Sequence, residues 1–139
     1  MRHVETSIEV AAAAPAVVRA FLELPALEKW WHVDRGVVDP RIGGVWALAW
    51  QRSEHGFKYF ITGRIDALTD SRLQIGNLVY FNPERAALGP MALTIESDGK
   101  RMTIRQDGYR EGGDWDWYYE AVSKAWPMVA EDIKAFLEG

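Results

Sequence analysis

The sequence contains no cysteine, and this absence excludes several kinds of site at once. A chain without cysteine has no disulfide framework, no thiolate nucleophile and no thiolate ligand for a metal. It fits a reducing compartment, so we expect a cytoplasmic protein. The first apolar run is interrupted by Pro15 and preceded by Glu5 and Glu9, unlike the positively charged start and apolar stretch of a signal peptide.

Long apolar runs and clusters of basic residues are also missing. No run approaches the roughly 20 residues that a membrane-spanning helix needs. The 16 lysines and arginines are scattered over a chain whose net charge is −4, so the sequence predicts no basic surface for nucleic acid. The partner classes that remain are small molecules and other proteins.

Motifs for the common kinds of catalytic and cofactor chemistry are absent. The chain has no glycine-rich phosphate loop, no Gly-x-Ser-x-Gly elbow and no His-Glu-x-x-His zinc motif, so we predict neither a cofactor nor a metal site. Among the three histidines, His3 near the terminus and His55 in a charged turn are expected to be solvated, which leaves His32 as the candidate, with Asp34 able to orient its ring. Helix-end capping and surface exposure are the commoner explanations of such a pair.

The abundant residue is tryptophan, with seven copies in 139 residues. A chain of this length fills one core, so we expect residues 1–139 to form one domain with one site. The pair Trp30-Trp31 falls on a predicted short helix. Adjacent residues on a helix point about 100° apart, so the two indoles should occupy different environments, one in the core and one at a cavity mouth or in solvent.

The pattern of apolar residues predicts an α+β fold. A half-buried strand covers Val4 to Val10, and two short helices follow, one beginning at Pro15 and one at Pro25. From Asp116 onward the spacing is helical, with a kink or a late helix start expected at Pro127. Between the helical regions, the sequence predicts strands near 36–40, 45–52, 57–67, 72–81, 90–97 and 100–108.

This order predicts a seven-stranded, curved antiparallel sheet wrapped around a long C-terminal helix, with two short helices after the first strand. A strongly curved sheet around one helix tends to leave a cavity, and alternation along the strands predicts which side chains face it. Along 73–81 the predicted inward stripe is Leu73, Ile75, Asn77, Val79 and Phe81, which Asn77 interrupts, although a bulge that turns Asn77 outward is the commoner outcome. The predicted ligand-binding residues are Trp31, His32, Trp46, Trp50, Tyr59, Ile61, Asn77, Tyr118, Tyr119, Val122 and Trp126.

Three segments resemble one protein superfamily. They are AAPAVVRAFLELPALEKWWHVD, DPRIGGVWALAW and WPMVAEDIKAFLEG, and together they span nearly the whole chain. The sequence resembles the START-like (SRPBCC, helix-grip) superfamily, in the branch similar to the C-terminal domain of the heat-shock chaperone ATPase activator. The resemblance implies a cavity and no universal catalytic residues, since relatives include lipid-transfer proteins, polyketide cyclases and carriers of hydrophobic molecules.

Three functional hypotheses remain. The leading hypothesis favours a binding protein over an enzyme. The protein would hold a small hydrophobic, aromatic or lipid-like ligand in the cavity. The second is an enzyme similar to the polyketide cyclases and dehydratases, with His32, Tyr59 or Asn77 moving protons. The third is a chaperone-interaction module that acts through its surface. Exposed edge strands of the curved sheet also favour a homodimer.

Overall fold

The computed structural model describes residues 2–139 and has the predicted α+β architecture. The sheet is followed by a helix that runs almost to the C-terminus, and two short helices lie between the first and second strands. The elements are β1 Arg2–Glu9, α1 Ala14–Ala20, α2 Leu24–Trp30, β2 Arg35–Val38, β3 Val45–Ser53, β4 Gly56–Leu68, β5 Arg72–Phe81, β6 Leu88–Ser97, β7 Arg101–Tyr109 and α3 Asp114–Glu138.

All seven strands join in one antiparallel sheet with the order β1-β7-β6-β5-β4-β3-β2. Strands β2 to β7 follow one another as hairpins, and β1 pairs with β7. The two short helices therefore carry the chain from one edge of the sheet to the other. The seven-stranded antiparallel sheet, the long C-terminal helix and the two short helices confirm the predicted helix-grip fold.

Indole hydrogen bonds connect the C-terminal end of α1 to α2 and to β3. The indole nitrogen of Trp30 donates to the carbonyl oxygen of Ala20 at 2.9 Å, and that of Trp46 donates to the carbonyl oxygen of Phe21 at 2.8 Å. Both acceptors lie at the C-terminal end of α1, where helical carbonyls have no partner within the helix. The buried indoles thus pair polar groups that would otherwise be left unsatisfied at this junction.

Helix α3 is continuous through Pro127, so of the two alternatives expected at that residue the late helix start is wrong, and the kink stays a prediction. The helix begins instead after Gly112 and Gly113, both with positive φ. The backbone N–H of Gly112 donates to a carboxylate oxygen of Asp116 at 3.0 Å, which ties this turn to the first helical turn. A carboxylate here is favourable because the N-terminal end of a helix carries partial positive charge.

A β-bulge in β5 changes the face on which its later residues lie. The register with β4 shifts between the pairs Thr62↔Val79 and Arg64↔Gly76, and Asn77 adopts φ +49. Leu78 and Tyr80 are consequently buried, whereas Asn77 is exposed. The sequence prediction that Asn77, Val79 and Phe81 share the inward face with Ile75 is wrong, since it assumed unbroken alternation. Phe81 instead stacks on its neighbour Phe60 on the convex face, with ring centroids 4.4 Å apart.

Among residues 2–139, no helix combines the length and apolar character that crossing a membrane requires.

Candidate functional site

A cavity of about 540 Å³ lies between α3 and the concave face of the sheet. Helix α3 contributes one face of side chains at intervals of three and four residues, and β3 to β7 contribute the opposite wall. Exposed residues, among them His32, Asp34 and Gln51, mark the mouth. The wall consists of Trp31, His32, Asp34, Trp50, Gln51, Tyr59, Ile61, Leu78, Tyr80, Leu93, Gln106, Tyr118, Val122, Ala125, Trp126 and Val129.

Trp31 is the centre of an aromatic cluster at one end of the cavity. Its ring stacks on Trp30 with centroids 5.0 Å apart and also approaches Trp50 at 5.0 Å and Trp126 at 5.7 Å. Trp30 is only 3% exposed, whereas Trp31 is half-buried and faces the cavity. The two neighbouring indoles therefore occupy different environments, as the helical geometry predicted.

The mouth is built on a fixed turn between α2 and β2. The indole nitrogen of Trp50 donates to the carbonyl oxygen of Trp31 at 2.9 Å, and the backbone N–H of Arg52 donates to the Asp34 carboxylate at 3.0 Å. His32 and Gln51 both have positive φ, at 57° and 55°. This backbone conformation is uncommon for residues other than glycine and persists where surrounding contacts hold it. The mouth is thus positioned by contacts between the turn and β3.

A buried amide joins the sheet to α3 inside the cavity. Gln106 on β7 is 2% exposed, and its Oε1 accepts a hydrogen bond from the indole nitrogen of Trp126 at 2.8 Å. Its Nε2 donates to the hydroxyl oxygen of Tyr118 at 3.1 Å and lies 3.4 Å from the Met91 sulfur. Since an indole N–H can only donate, Oε1 must face Trp126 and Nε2 must face Tyr118. The amide orientation is therefore fixed by its partners.

Two tyrosine hydroxyls at the cavity wall have raised pKa values. Burial raises the pKa of Tyr118, and the hydrogen bond from Gln106 offsets part of that effect. Burial also raises the pKa of Tyr80, partly offset by the hydrogen bond from Asn82. Both groups stay protonated through the neutral range, so each keeps a hydrogen to donate.

The structure brings most of the predicted ligand-binding residues to the cavity wall. Three are elsewhere: Trp46 is fully buried behind Trp31 in the core, Tyr119 packs towards β1, and Asn77 points outward at the bulge. Tyr119 is one helical position from Tyr118 and so points to another side of α3. Its hydroxyl donates to the carbonyl oxygen of His3 at 3.3 Å. At the wall are Trp31, His32, Trp50, Tyr59, Ile61, Tyr118, Val122 and Trp126, and their binding of a ligand stays a prediction.

The predicted set omitted several wall residues for different reasons. Gln106 continues the inward alternation of Met102 and Ile104, so extending that pattern by two residues would have found it. Leu78 and Tyr80 were hidden by the bulge in β5. Gln51 reaches the mouth from a left-handed backbone conformation, which no alternation rule anticipates.

The polar side chains at this cavity form no metal-binding group within residues 2–139. Within the described range 2–139, no three histidine, aspartate or glutamate side chains are placed to hold one metal ion. His32 and Asp34 both lie at the mouth, where the carboxylate accepts from the Arg52 backbone. The wall is therefore apolar and aromatic around one satisfied amide, a composition typical of small-molecule sites.

Comparison with known proteins agrees with this architecture. Residues 11–138 match the family described as Activator of Hsp90 ATPase homolog 1-like protein. A crystal structure of a protein from Chromobacterium violaceum is similar over 100% of this chain and 99% of its own, with TM-score 0.75 and 21% identity. The structure of the AHSA1 protein from Silicibacter pomeroyi has TM-score 0.73 and 19% identity, with 99% of this chain and 98% of that chain covered.

A third similar structure is described as the Aha1 dimer from Colwellia psychrerythraea. It has TM-score 0.72 and 13% identity, with 99% of this chain and 97% of that chain covered. No curated protein matches the sequence. At identities this low, the solved structures establish a shared fold.

Proposed function

Because the chain belongs to the family of Activator of Hsp90 ATPase homolog 1-like proteins, we propose that it uses the helix-grip cavity of that fold to bind a small hydrophobic or aromatic molecule. The observation that supports this function is the cavity of about 540 Å³ between α3 and the sheet. Its volume lies within the roughly 300–1,000 Å³ range of small-molecule sites. The proposal places this binding in the cytoplasm, which the cysteine-free sequence fits.

The wall chemistry favours an apolar ligand. Three indoles, from Trp31, Trp50 and Trp126, face the cavity, and aliphatic side chains from Ile61 and Leu78 lie opposite α3. Aromatic walls bind aromatic ligands through offset and edge contacts in addition to the burial of apolar area. Trp50 and Trp126 already have partners for their N–H groups, so their ring faces can be covered without leaving those groups unsatisfied.

The proposal is tested by filling the cavity. Val122 lies midway along the lining face of α3, whereas its neighbour Ala121 is exposed and outside the wall. Binding of a panel of hydrophobic compounds would be measured by calorimetry for the wild type, for Val122→Trp and for the control Ala121→Trp. We expect Val122→Trp to abolish binding while Ala121→Trp retains it. Binding that survives in Val122→Trp, or no binding of any compound to the wild type, would contradict the proposal.

Two further measurements, a turnover assay of any bound compound and a chaperone-binding assay, would recognise the other two hypotheses. Turnover of a bound compound would favour the cyclase-like enzyme, for which His32 and Tyr59 are both at the wall. Absence of ligand binding, combined with binding of the protein to a purified heat-shock chaperone, would favour the interaction module.

We also propose that the chain forms a homodimer through the β2 edge of the sheet. Strand β2 has only four residues and is paired on one side, and apolar residues near it are exposed, with Val37 at 60%, Ile42 at 63% and Val45 at 42%. The related protein from Colwellia psychrerythraea is described as a dimer. Light scattering should give a dimer mass for the wild type and for Met128→Glu, and a monomer mass for Val37→Glu. A wild-type monomer would contradict this proposal.

A further inference from the structure

The hydroxyl of Tyr118 has a hydrogen that no group in residues 2–139 accepts. Its oxygen already accepts from Nε2 of Gln106, and the amide cannot turn over because Oε1 is held by the indole N–H of Trp126. The hydrogen bonds of the described residues contain no acceptor for the Tyr118 proton. Tyr118 is 6% exposed and forms part of the cavity wall, so the space available to this donor is the cavity.

Tyr80 repeats this arrangement beside it. Its hydroxyl oxygen accepts from Nδ2 of Asn82 at 3.3 Å, and the Asn82 amide is oriented because Oδ1 accepts the backbone N–H of Glu84 at 2.9 Å. The Tyr80 and Tyr118 ring centroids are 4.5 Å apart. The Gln106 amide donates to the Tyr118 oxygen, and the Asn82 amide donates to the Tyr80 oxygen. Each of these neighbouring hydroxyls therefore keeps its own hydrogen for another acceptor. A ligand that displaces water from these hydroxyls without supplying an acceptor leaves a buried donor unpaired, which is costly, so this part of the cavity favours a ligand with an acceptor.

The charge of the wall limits which acceptor fits. No lysine or arginine lies among the wall residues, and Asp34 at the mouth is an acid. Arg85, whose charge acts on Tyr80, lies outside the wall and is paired with the Asp114 carboxylate at 2.8 Å. A carboxylate or phosphate inside the cavity would be taken out of water without a cation to compensate it. An uncharged oxygen, whose removal from water costs far less, can be paired by a tyrosine hydroxyl alone.

Building on the proposed function, we propose that the ligand is an uncharged, largely apolar molecule with a carbonyl oxygen, and that the hydroxyl of Tyr118 donates a hydrogen bond to that oxygen. Gln106 is a positioning residue, because it holds the Tyr118 oxygen as an acceptor and so directs the proton into the cavity. Trp126 in turn fixes the Gln106 amide. The raised pKa of Tyr118 agrees with a group that acts as a neutral donor.

The test compares three probes of nearly equal shape: naphthyl methyl ketone, isopropenylnaphthalene and naphthoate. The first carries a carbonyl oxygen, the second replaces that oxygen with a methylene group, and the third carries a negative charge. Calorimetry on the wild-type protein should show the ketone binding about five-fold or more tightly than the hydrocarbon, as expected for one net hydrogen bond. Naphthoate should bind more weakly than the ketone.

Variants then assign the preference to Tyr118. In Tyr118→Phe the ratio of ketone to hydrocarbon affinity should fall to about one, while the hydrocarbon still binds. Tyr109→Phe is the matched control, because Tyr109 is 2% exposed, its hydroxyl has no partner in residues 2–139, and it lies outside the wall. In this control the ratio should not change.

Trp126→Phe provides an independent check on the amide. Without the indole N–H, Gln106 can turn over and accept the Tyr118 proton with Oε1, so the ketone preference should fall although Tyr118 is present. An unchanged ratio, with both probes weakened equally by lost packing, would contradict the positioning role of Gln106.

The outcomes separate this inference from the proposed function. Equal binding of ketone and hydrocarbon by the wild type, or tighter binding of naphthoate, would overturn the inference and leave the apolar cavity as a binding site. Failure of all three probes would overturn both. The wild-type comparison decides the carbonyl preference even if a variant fails to fold.

Discussion

The space enclosed by the curved sheet has two regions in which tryptophan side chains are packed differently. In the region under α1 and α2, which we call the filled half, Trp46 is fully buried and its N–H is bonded to a helix carbonyl. In the cavity half, which consists of the wall residues of the cavity, Trp31 leaves part of its ring open to the space beneath α3. The helices supply enough aliphatic volume to close one half, whereas α3 alone spans the other without filling it. The cavity therefore results from where the helices lie, and the aromatic wall makes it suited to a ligand.

The largest effect expected from this comparison is on stability. Trp46→Ala should lower the free energy of unfolding by about 3–5 kcal/mol, because it opens a void in the filled half and leaves the Phe21 carbonyl unpaired. Trp31→Ala enlarges an existing cavity, so its cost should be smaller, about 1–3 kcal/mol. Urea unfolding of both variants measures the difference. Equal losses of unfolding free energy in the two variants would contradict the difference in packing between the two halves.

A smaller effect is expected at the amide of the cavity half. Gln106→Leu leaves the Trp126 N–H without an acceptor, a loss of about 1–3 kcal/mol. Removing that donor as well, in Gln106→Leu/Trp126→Phe, should cost less than the sum of the two single changes. A double-mutant cycle in urea gives this coupling. Strict additivity would mean that the amide and the indole do not act together.

The bulge in β5 places Leu78 and Tyr80 in the cavity half, and it predicts a further effect at Asn77, which lies outside that half. A β-branched side chain is disfavoured at φ +49, so Asn77→Val should cost about 1–2 kcal/mol, whereas Asn77→Gly should change stability by only a few tenths. Thermal unfolding compares the two variants. Ligand affinity should be unchanged in Asn77→Gly, since this residue lies outside the wall.

The smallest effect concerns the β6–β7 turn, remote from the cavity. Backbone hydrogen bonds from Arg101 and Lys100 lower the pKa of Asp98. A lowered carboxylate pKa stabilises the fold above the unfolded-state pKa, near 4, and this contribution is lost as the pH falls through the folded-state pKa. Asp98→Ala should therefore be less stable than wild type at neutral pH, with the difference disappearing in acid. Urea midpoints measured between pH 7 and the acid range test this, and a difference that grows in acid would contradict it.

The sequence predicted the fold better than the site, and particular residues show why. Strand alternation and proline-started helices are local signals, so they located the seven strands and both short helices. The errors came from non-local geometry: a bulge reversed the faces of Val79 and Phe81, and a difference of one helical position sent Tyr119 towards β1. Trp46 was assigned correctly to the inward face, but only packing decides which inward residues border a cavity.

Ligand binding in the cavity is measured most directly by the response of the tryptophan indole N–H signals to a ligand in a nitrogen-edited NMR spectrum. On titration with naphthyl methyl ketone, we predict large shifts for Trp31, Trp50 and Trp126, which line the cavity, and little change for Trp30 and Trp46 in the filled half. Shifts concentrated on Trp30 and Trp46, or no shift in any indole signal, would contradict the assignment of the cavity as the binding site.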